Sequence, residues 1–163
     1  MTQGLRDQLI GTWKLVSYVE EPVDGSNPVH PLGEQPKGII INMSSVAGRF
    51  GYANRSPYCT AKWGIIGLTK TLSIELGKYG IRANAILPGA VDGPRIQRVF
   101  EGRAKQSGKS LEEIKQEAME VQSIKRLVDP RDIAALAVFL ASDSAKSISG
   151  QMLPMDNDMQ QAS

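Results

Sequence analysis

One cysteine, Cys59, and one histidine, His30, are all that the 163 residues hold of the two side chains behind most thiol and transition-metal sites. A lone cysteine excludes a disulfide within the chain and any cysteine-based zinc site, and it makes a reducing, cytoplasmic setting the default. His30 sits in a Pro-rich turn with no ligand partner nearby, so no metal site is expected. Long apolar runs are missing as well. The longest, ending at Ala141, falls far short of the ~20 residues that span a bilayer. The opening MTQGLRDQLIGTWKL has neither the basic head nor the apolar stretch of a signal peptide. Neither charge dominates: 19 Lys+Arg stand against 17 Asp+Glu, a net +2. That balance predicts no nucleic-acid partner and no membrane-surface patch. With 41% hydrophobic and 22% charged residues, the composition is that of a globular chain, enough for one ordinary domain.

What is present falls into two dialects. Gly11 to Glu20 alternates loosely, with Trp13, Leu15 and Ser17 on one side and Val16 and Tyr18 on the other, which suits a β-strand. Glu21 to Gly38 then carries Pro22, Asp24-Gly25, Asn27-Pro28, Pro31, Gly33 and Pro36, a run of turns that no helix crosses. From Gly38 strands and helices alternate. Ile39-Ile40-Ile41 reads as a short strand buried on both faces. Ser56-Pro57 opens a helix, with Ser56 expected as its cap, that runs to Tyr79 and stops at Gly80. Ile81 to Leu87 is a second strand. Ser110 to Glu113 matches a capping box for a helix reaching about Ile124. Asp129-Pro130 starts another helix, whose Ile133, Leu136, Ala137 and Leu140 form an apolar stripe. Gln151 to Pro154 is a last short strand. Strands separated by helices of this length predict an α/β fold with a parallel sheet.

The sharpest local feature is Tyr58-x-x-x-Lys62. Four residues apart on a helix, the two side chains stack on one face. An ammonium beside a phenol favours the phenolate, drawing its pKa down from ~10. A tyrosine tuned in this way can exchange a proton with a carbonyl or alcohol oxygen. Cys59, next in the chain, has no histidine or second cysteine with it and reads as a small core thiol. Ser45 has no histidine partner either, which leaves a serine hydrolase unsupported.

Ile40-Ile41-Asn42-Met43-Ser44-Ser45-Val46-Ala47-Gly48, then Tyr58 and Lys62, resembles the active-site segment of the short-chain dehydrogenase/reductase family. Ile81 to Val91 resembles that family's strand and Pro-Gly turn, and the Pro130–Ala141 stretch with Ser149-Gly150-Gln151 is similar to its C-terminal end. The resemblance covers about residues 38 to 158. It implies that Ser45 holds the substrate oxygen, that Tyr58 is the general acid/base, and that Lys62 holds the nicotinamide ribose while lowering the Tyr58 pKa. It further implies a cofactor, NAD or NADP, bound by Tyr58, Lys62, Pro88, Gly89 and Val91, and a small carbonyl or alcohol substrate. Asp92 to Gln122 would be a mobile substrate loop; by composition alone the same stretch reads as a pair of solvated helices. A homo-oligomer through helix 58–79 is also implied, with Gly64 and Gly67 allowing close approach.

The sequence departs from the family pattern as well. The Gly-rich turn that receives the cofactor pyrophosphate at a helix N-terminus has no match before Ser45. The family's near-terminal Asp-Gly-Gly stands here as Asp156-Asn157-Asp158. Weak or lost dinucleotide binding is therefore expected, with a non-catalytic module that oligomerises or binds small apolar molecules as the alternative. Leu9 to Ser17, His30 to Gly33 and Pro36-Lys37-Gly38 resemble instead the opening of a bacterial lipocalin-like domain, about two strands of a barrel that needs roughly eight. The expectation is a fusion: a lipocalin-like β segment and connector over 1–38, and a truncated Rossmann-like sheet of about three strands over 39–163. Thr12–Val19 is expected to pair with Ile39–Asn42, covering an edge that would otherwise lie open.

Overall fold

The computed structural model describes residues 38–161. The Thr12–Val19 strand, and nearly all of the 1–38 segment, lie outside the described residues. Three parallel strands form one sheet in the order β1-β2-β3: β1 (Gly38–Met43), β2 (Ile81–Pro88) and β3 (Met152–Met155). Residues 38 to 43 of β1 pair in register with 81 to 86 of β2, and 85 to 88 of β2 pair with 152 to 155 of β3. Between them run four helices: α1 (Ser56–Gly77), α2 (Pro94–Ser107), α3 (Leu111–Glu120) and α4 (Pro130–Ala141). None of the described helices is long and apolar enough to cross a membrane.

Side chains alternate across a strand, so β2 offers two different faces. On one, Ile86 packs with Leu140 of α4 and with Ala145, and Ile39 and Ile41 of β1 with Leu153 and Met155 of β3 join that core. On the other, Ala83 and Ala85 are fully buried and carry almost no side chain, so α1 lies close against the sheet. Asn42 of β1 donates to the Thr69 hydroxyl of α1 at 2.9 Å, and Thr69 donates to the Ile65 carbonyl at 2.7 Å. Both polar groups are thus satisfied inside the contact. The sequence places β1 as buried on both faces, yet its four central residues are only half-buried. Among the described residues β1 is an outer strand, with β2 on one side alone.

Asn84 is fully buried in the middle of β2. Its amide donates to the Ile148 carbonyl at 2.9 Å and its oxygen accepts from the Gln151 N–H at 3.0 Å. Those two bonds fix the chain just before β3. Gly150 turns there with φ +68, a left-handed conformation, and a Cβ would meet the Ser73 hydroxyl at 3.0 Å.

Helix ends follow local chemistry with small shifts from expectation. Ser110 and Glu113 form the full capping box, the Ser110 hydroxyl accepting from the Glu113 N–H and the Glu113 carboxylate accepting from the Ser110 N–H. Their helix ends at Glu120, before Ile124, where the chain turns to meet Met159. Asp129 caps α4 through the Arg131 N–H at 2.8 Å. Ser56 is not a cap. Arg55 takes that position with no side-chain bond, and Ser56 is already helical. At the other end the last carbonyls of α1 are met by tight turns, Tyr79 N–H to Leu76 and Gly80 N–H to Gly77, before Gly80 reverses the chain at φ +70. The 92–122 stretch is the helix pair α2 and α3, closed on a small core of Phe100, Ile114 and Ala118.

Candidate active site

Parallel strands in an open α/β sheet leave a crevice at their carboxyl ends, where ligands bind. Here that crevice is a cleft of about 540 Å³, walled by the chain after β1, the start of α1, the turn after β2, and α2. Ser45, Tyr58, Lys62, Pro88, Gly89 and Val91, the six residues singled out from the sequence, all line it. Ile96, Val99 and Phe100 of α2 and Ile133 of α4 give it an apolar wall.

Each polar group is set by its element. Ser45 follows β1 and caps a single 3₁₀ turn, Val46–Gly48, its hydroxyl accepting from the Ala47 N–H at 3.2 Å. The neighbouring Ser44 points the other way and donates to the Lys62 carbonyl at 2.8 Å, tying the loop to α1. Gly48 makes that contact possible: a Cβ there would come within 2.7 Å of the Ser44 hydroxyl and 3.1 Å of the Lys62 carbonyl oxygen. Gly89 is as tightly placed, with an added Cβ only 2.9 Å from Asp156 Cα. Asp156 is buried and paired with Arg49 at 2.9 Å, which holds the end of β3 against the 3₁₀ turn.

Tyr58, in the first turn of α1, has the Ser45 hydroxyl and the Arg95 guanidinium of α2 close enough for both to favour its phenolate. Lys62 lies one turn further along, its ammonium 5.7 Å from the centre of the Tyr58 ring and donating to the Met43 carbonyl at 3.0 Å. Burial alone pushes the phenol up. The Ser45 and Arg95 donors, with the positive charges of Lys62 and Arg95, outweigh it and bring Tyr58 below the ordinary value of 10.0. Tyr52, on the same cleft, goes the other way: burial dominates, the charge of Arg103 offsets only part of it, and its phenol is raised. Among the described residues its hydroxyl donates to the Met159 sulfur, at 3.3 Å, a weak partner that does little for a phenolate.

Sequence reasoning passed over Arg95, Tyr52, Arg55 and Arg103, all of which line the cleft. Arg95 did leave a signal. It is the second residue of α2, where the positive end of the helix dipole disfavours a cation. A residue that breaks a local rule without structural gain points to a site.

A parallel α/β sheet with serine, tyrosine and lysine converging at its carboxyl edge defines a class of nucleotide-dependent oxidoreductases. Residues 22–159 match the family described as enoyl-(acyl carrier protein) reductase. The chain belongs to the short-chain dehydrogenase/reductase family. It is 41% identical over 120 residues to the D-beta-hydroxybutyrate dehydrogenase of Cupriavidus necator, a match covering 73% of this chain and 46% of that protein. It is 36% identical over 125 residues to the levodione reductase of Leifsonia aquatica, covering 77% and 46%. Among solved structures, an actinorhodin polyketide ketoreductase variant with NADPH superposes with a TM-score of 0.70, at 31% identity, covering 74% of this chain and 46% of that one. The chain thus spans about half the length of the curated relatives it matches.

Two tyrosines on one cleft with opposite shifts give a direct check. In a chain labelled at tyrosine Cζ, the ¹³C titration of Tyr58 is expected to fall below pH 10 and that of Tyr52 above it. Lys62→Met and Arg95→Gln each remove a charge that favours the phenolate, so each moves the Tyr58 midpoint up and leaves Tyr52 nearly unchanged. A Tyr58 that titrates together with Tyr52 would contradict this electrostatic reading.

Proposed function

We propose that this chain carries the acid–base half of an NAD(P)-dependent oxidoreductase acting on a small carbonyl or alcohol. The observation that supports it most is the convergence of Ser45, Tyr58 and Lys62 on one cleft, with the Tyr58 phenol lowered. Tyr58 gives its proton to a carbonyl oxygen in reduction and takes one from the hydroxyl in oxidation. Ser45 donates to the same oxygen and steadies the charge that develops on it. Lys62 spends one of its three N–H donors on the Met43 carbonyl and keeps two for ribose hydroxyls.

The residues present fit the nicotinamide–ribose end of such a cofactor. Pro88, Gly89 and Val91, on the turn where β2 ends, would hold it against the cleft wall, with Lys62 on its ribose. A bound nicotinamide supplies or accepts the hydride, the step no side chain here can perform. The sequence before Ser45 carries no Gly-rich motif of the spacing that receives a pyrophosphate. Each 1.4 kcal/mol of lost contact weakens binding about tenfold, so this chain alone is expected to hold a dinucleotide weakly.

Fluorescence titration with NADH and with NADPH tests this, followed by reduction assays at saturating cofactor. Binding in the millimolar range is expected, and Tyr58→Phe lowers the reduction rate by about 10²–10⁴. Saturation at micromolar cofactor would contradict the weak-binding part, and a rate untouched by Tyr58→Phe would contradict the assignment of the acid.

The outer side of α1 supports self-association. Trp63, Leu68 and Ile74 are exposed, Ile74 to 81%, and Gly64 and Gly67 have open space where side chains would stand. An apolar surface of this kind favours a partner. Light scattering is expected to give at least a dimer that Leu68→Glu dissociates; a monomer at high concentration would refute the interface.

A further inference from the structure

Tyr52 lines the cleft, and the proposed chemistry makes no use of its hydroxyl. A phenol has a single proton to donate, and Tyr52 gives it to the Met159 sulfur at 3.3 Å. A thioether is among the weakest acceptors a protein offers. Burial holds the phenol above its ordinary value, so the proton stays on it at neutral pH. Met159 is buried and fixed through its backbone. It forms an antiparallel bridge with Gln122, and the next residue, Gln160, donates its N–H to the Val121 carbonyl at 2.8 Å. Two residues earlier, Asn157 donates to the Gln122 side chain at 3.2 Å. The sulfur is therefore held in place independently of Tyr52. Val46, Phe100 and Ala118 also line the cleft and are buried and apolar. In such surroundings a hydrogen bond to a good acceptor is electrostatically stronger than in water.

We propose that Tyr52 selects the substrate by its arm: its O–H leaves the Met159 sulfur for an uncharged oxygen, so the preferred carbonyl or alcohol carries a second hydrogen-bond acceptor. The exchange trades a thioether for an oxygen on the same donor. It leaves nothing unpaired on the protein except a sulfur, which sits among apolar groups at little cost. A substrate with only hydrocarbon at that place leaves Tyr52 on Met159 and gains nothing from it. Tyr52 thus ranks arms by what they accept, while Ser45 and Tyr58 handle the reacting oxygen. The inference deepens the reading of the cleft given above and rests on it. The amide of a nicotinamide is an uncharged acceptor too, and the test separates the two sources.

Ligand-observed NMR titrations of the full chain without cofactor use ketone pairs that differ by one ether oxygen in place of a methylene. The pairs are 1-methoxypropan-2-one with pentan-2-one, 4-methoxybutan-2-one with hexan-2-one, and 5-methoxypentan-2-one with heptan-2-one; free nicotinamide is the fourth probe. Comparing each pair across variants cancels the different cost of taking an ether and a methylene out of water. Tyr52→Phe is expected to weaken at least one ether ketone by about threefold to tenfold and to leave its alkyl twin unchanged. Met159→Leu keeps the volume but removes the competing acceptor, so it tightens the same ether ketone and not the twin. Ether and alkyl members that respond alike to Tyr52→Phe in every pair would overturn the proposal. So would a Met159→Leu chain that binds the ether ketone more weakly, which would make the Tyr52–Met159 bond a structural tie. A Tyr52→Phe loss confined to nicotinamide would place the acceptor on the cofactor and overturn it as well. Failure of the acid–base reading shows differently: the Tyr52 effect would persist while Tyr58→Phe left the reduction rate unchanged.

Discussion

A methyl group at position 48 would lie 2.7 Å from the Ser44 hydroxyl, 2.8 Å from the tip of Ile66 and 3.1 Å from the Lys62 carbonyl oxygen. No real Cβ tolerates all three. The loop after β1 therefore packs tightly on the first turns of α1 at Gly48, and the Ser44 hydroxyl closes the contact on the Lys62 carbonyl. Behind it, Ala83 and Ala85 let α1 settle onto β2, and the Asn42–Thr69 bond fixes its height along the sheet. Everything chemical about the cleft depends on this seating. Ser45 sits on one side of the contact, Tyr58 and Lys62 on the other, and a shift of an ångström would separate them.

Seated this way, one residue type serves two ends. Tyr52 and Tyr58 are both partly buried phenols on the same cleft, and burial raises both. They diverge through their partners. Tyr58 meets Ser45, Arg95 and the charge of Lys62, all of which favour the phenolate, whereas Tyr52 meets a thioether and the negative potential of its neighbours. Polar partners placed around a single hydroxyl are what draw the pKa of a partly buried tyrosine down instead of up.

Much of this was legible in the residues, because it depends on local spacing. Tyr58 and Lys62 stack since a helix repeats every 3.6 residues; Ser110 and Glu113 cap since their spacing closes two backbone bonds. The parallel sheet followed from strands separated by helices. What escaped depends on distant chain. Arg95 reaches Tyr58 only because α2 folds back over the strand ends, and no pattern along the chain announces that. The half-burial of β1 is likewise set by what lies beside it in space. Asn157 and Asp158, standing where the family has glycines, both take left-handed φ of 56. Asn157 donates to the Arg126 carbonyl at 2.6 Å and Asp158 accepts from the Ser123 hydroxyl. Side-chain bonds to a remote segment hold a backbone shape that glycine would adopt freely.

The claim that the Gly48 contact sets the chemistry has one most direct measurement: the ¹³C titration of Tyr58 in Gly48→Ala, with Gly77→Ala, where a Cβ meets nothing, as the control at the far end of α1. The account predicts that Gly48→Ala folds with a stability loss of about 1–3 kcal/mol and moves the Tyr58 midpoint up, toward that of Tyr52. Gly77→Ala should leave it in place. A Tyr58 midpoint unchanged in a folded Gly48→Ala chain would contradict the account.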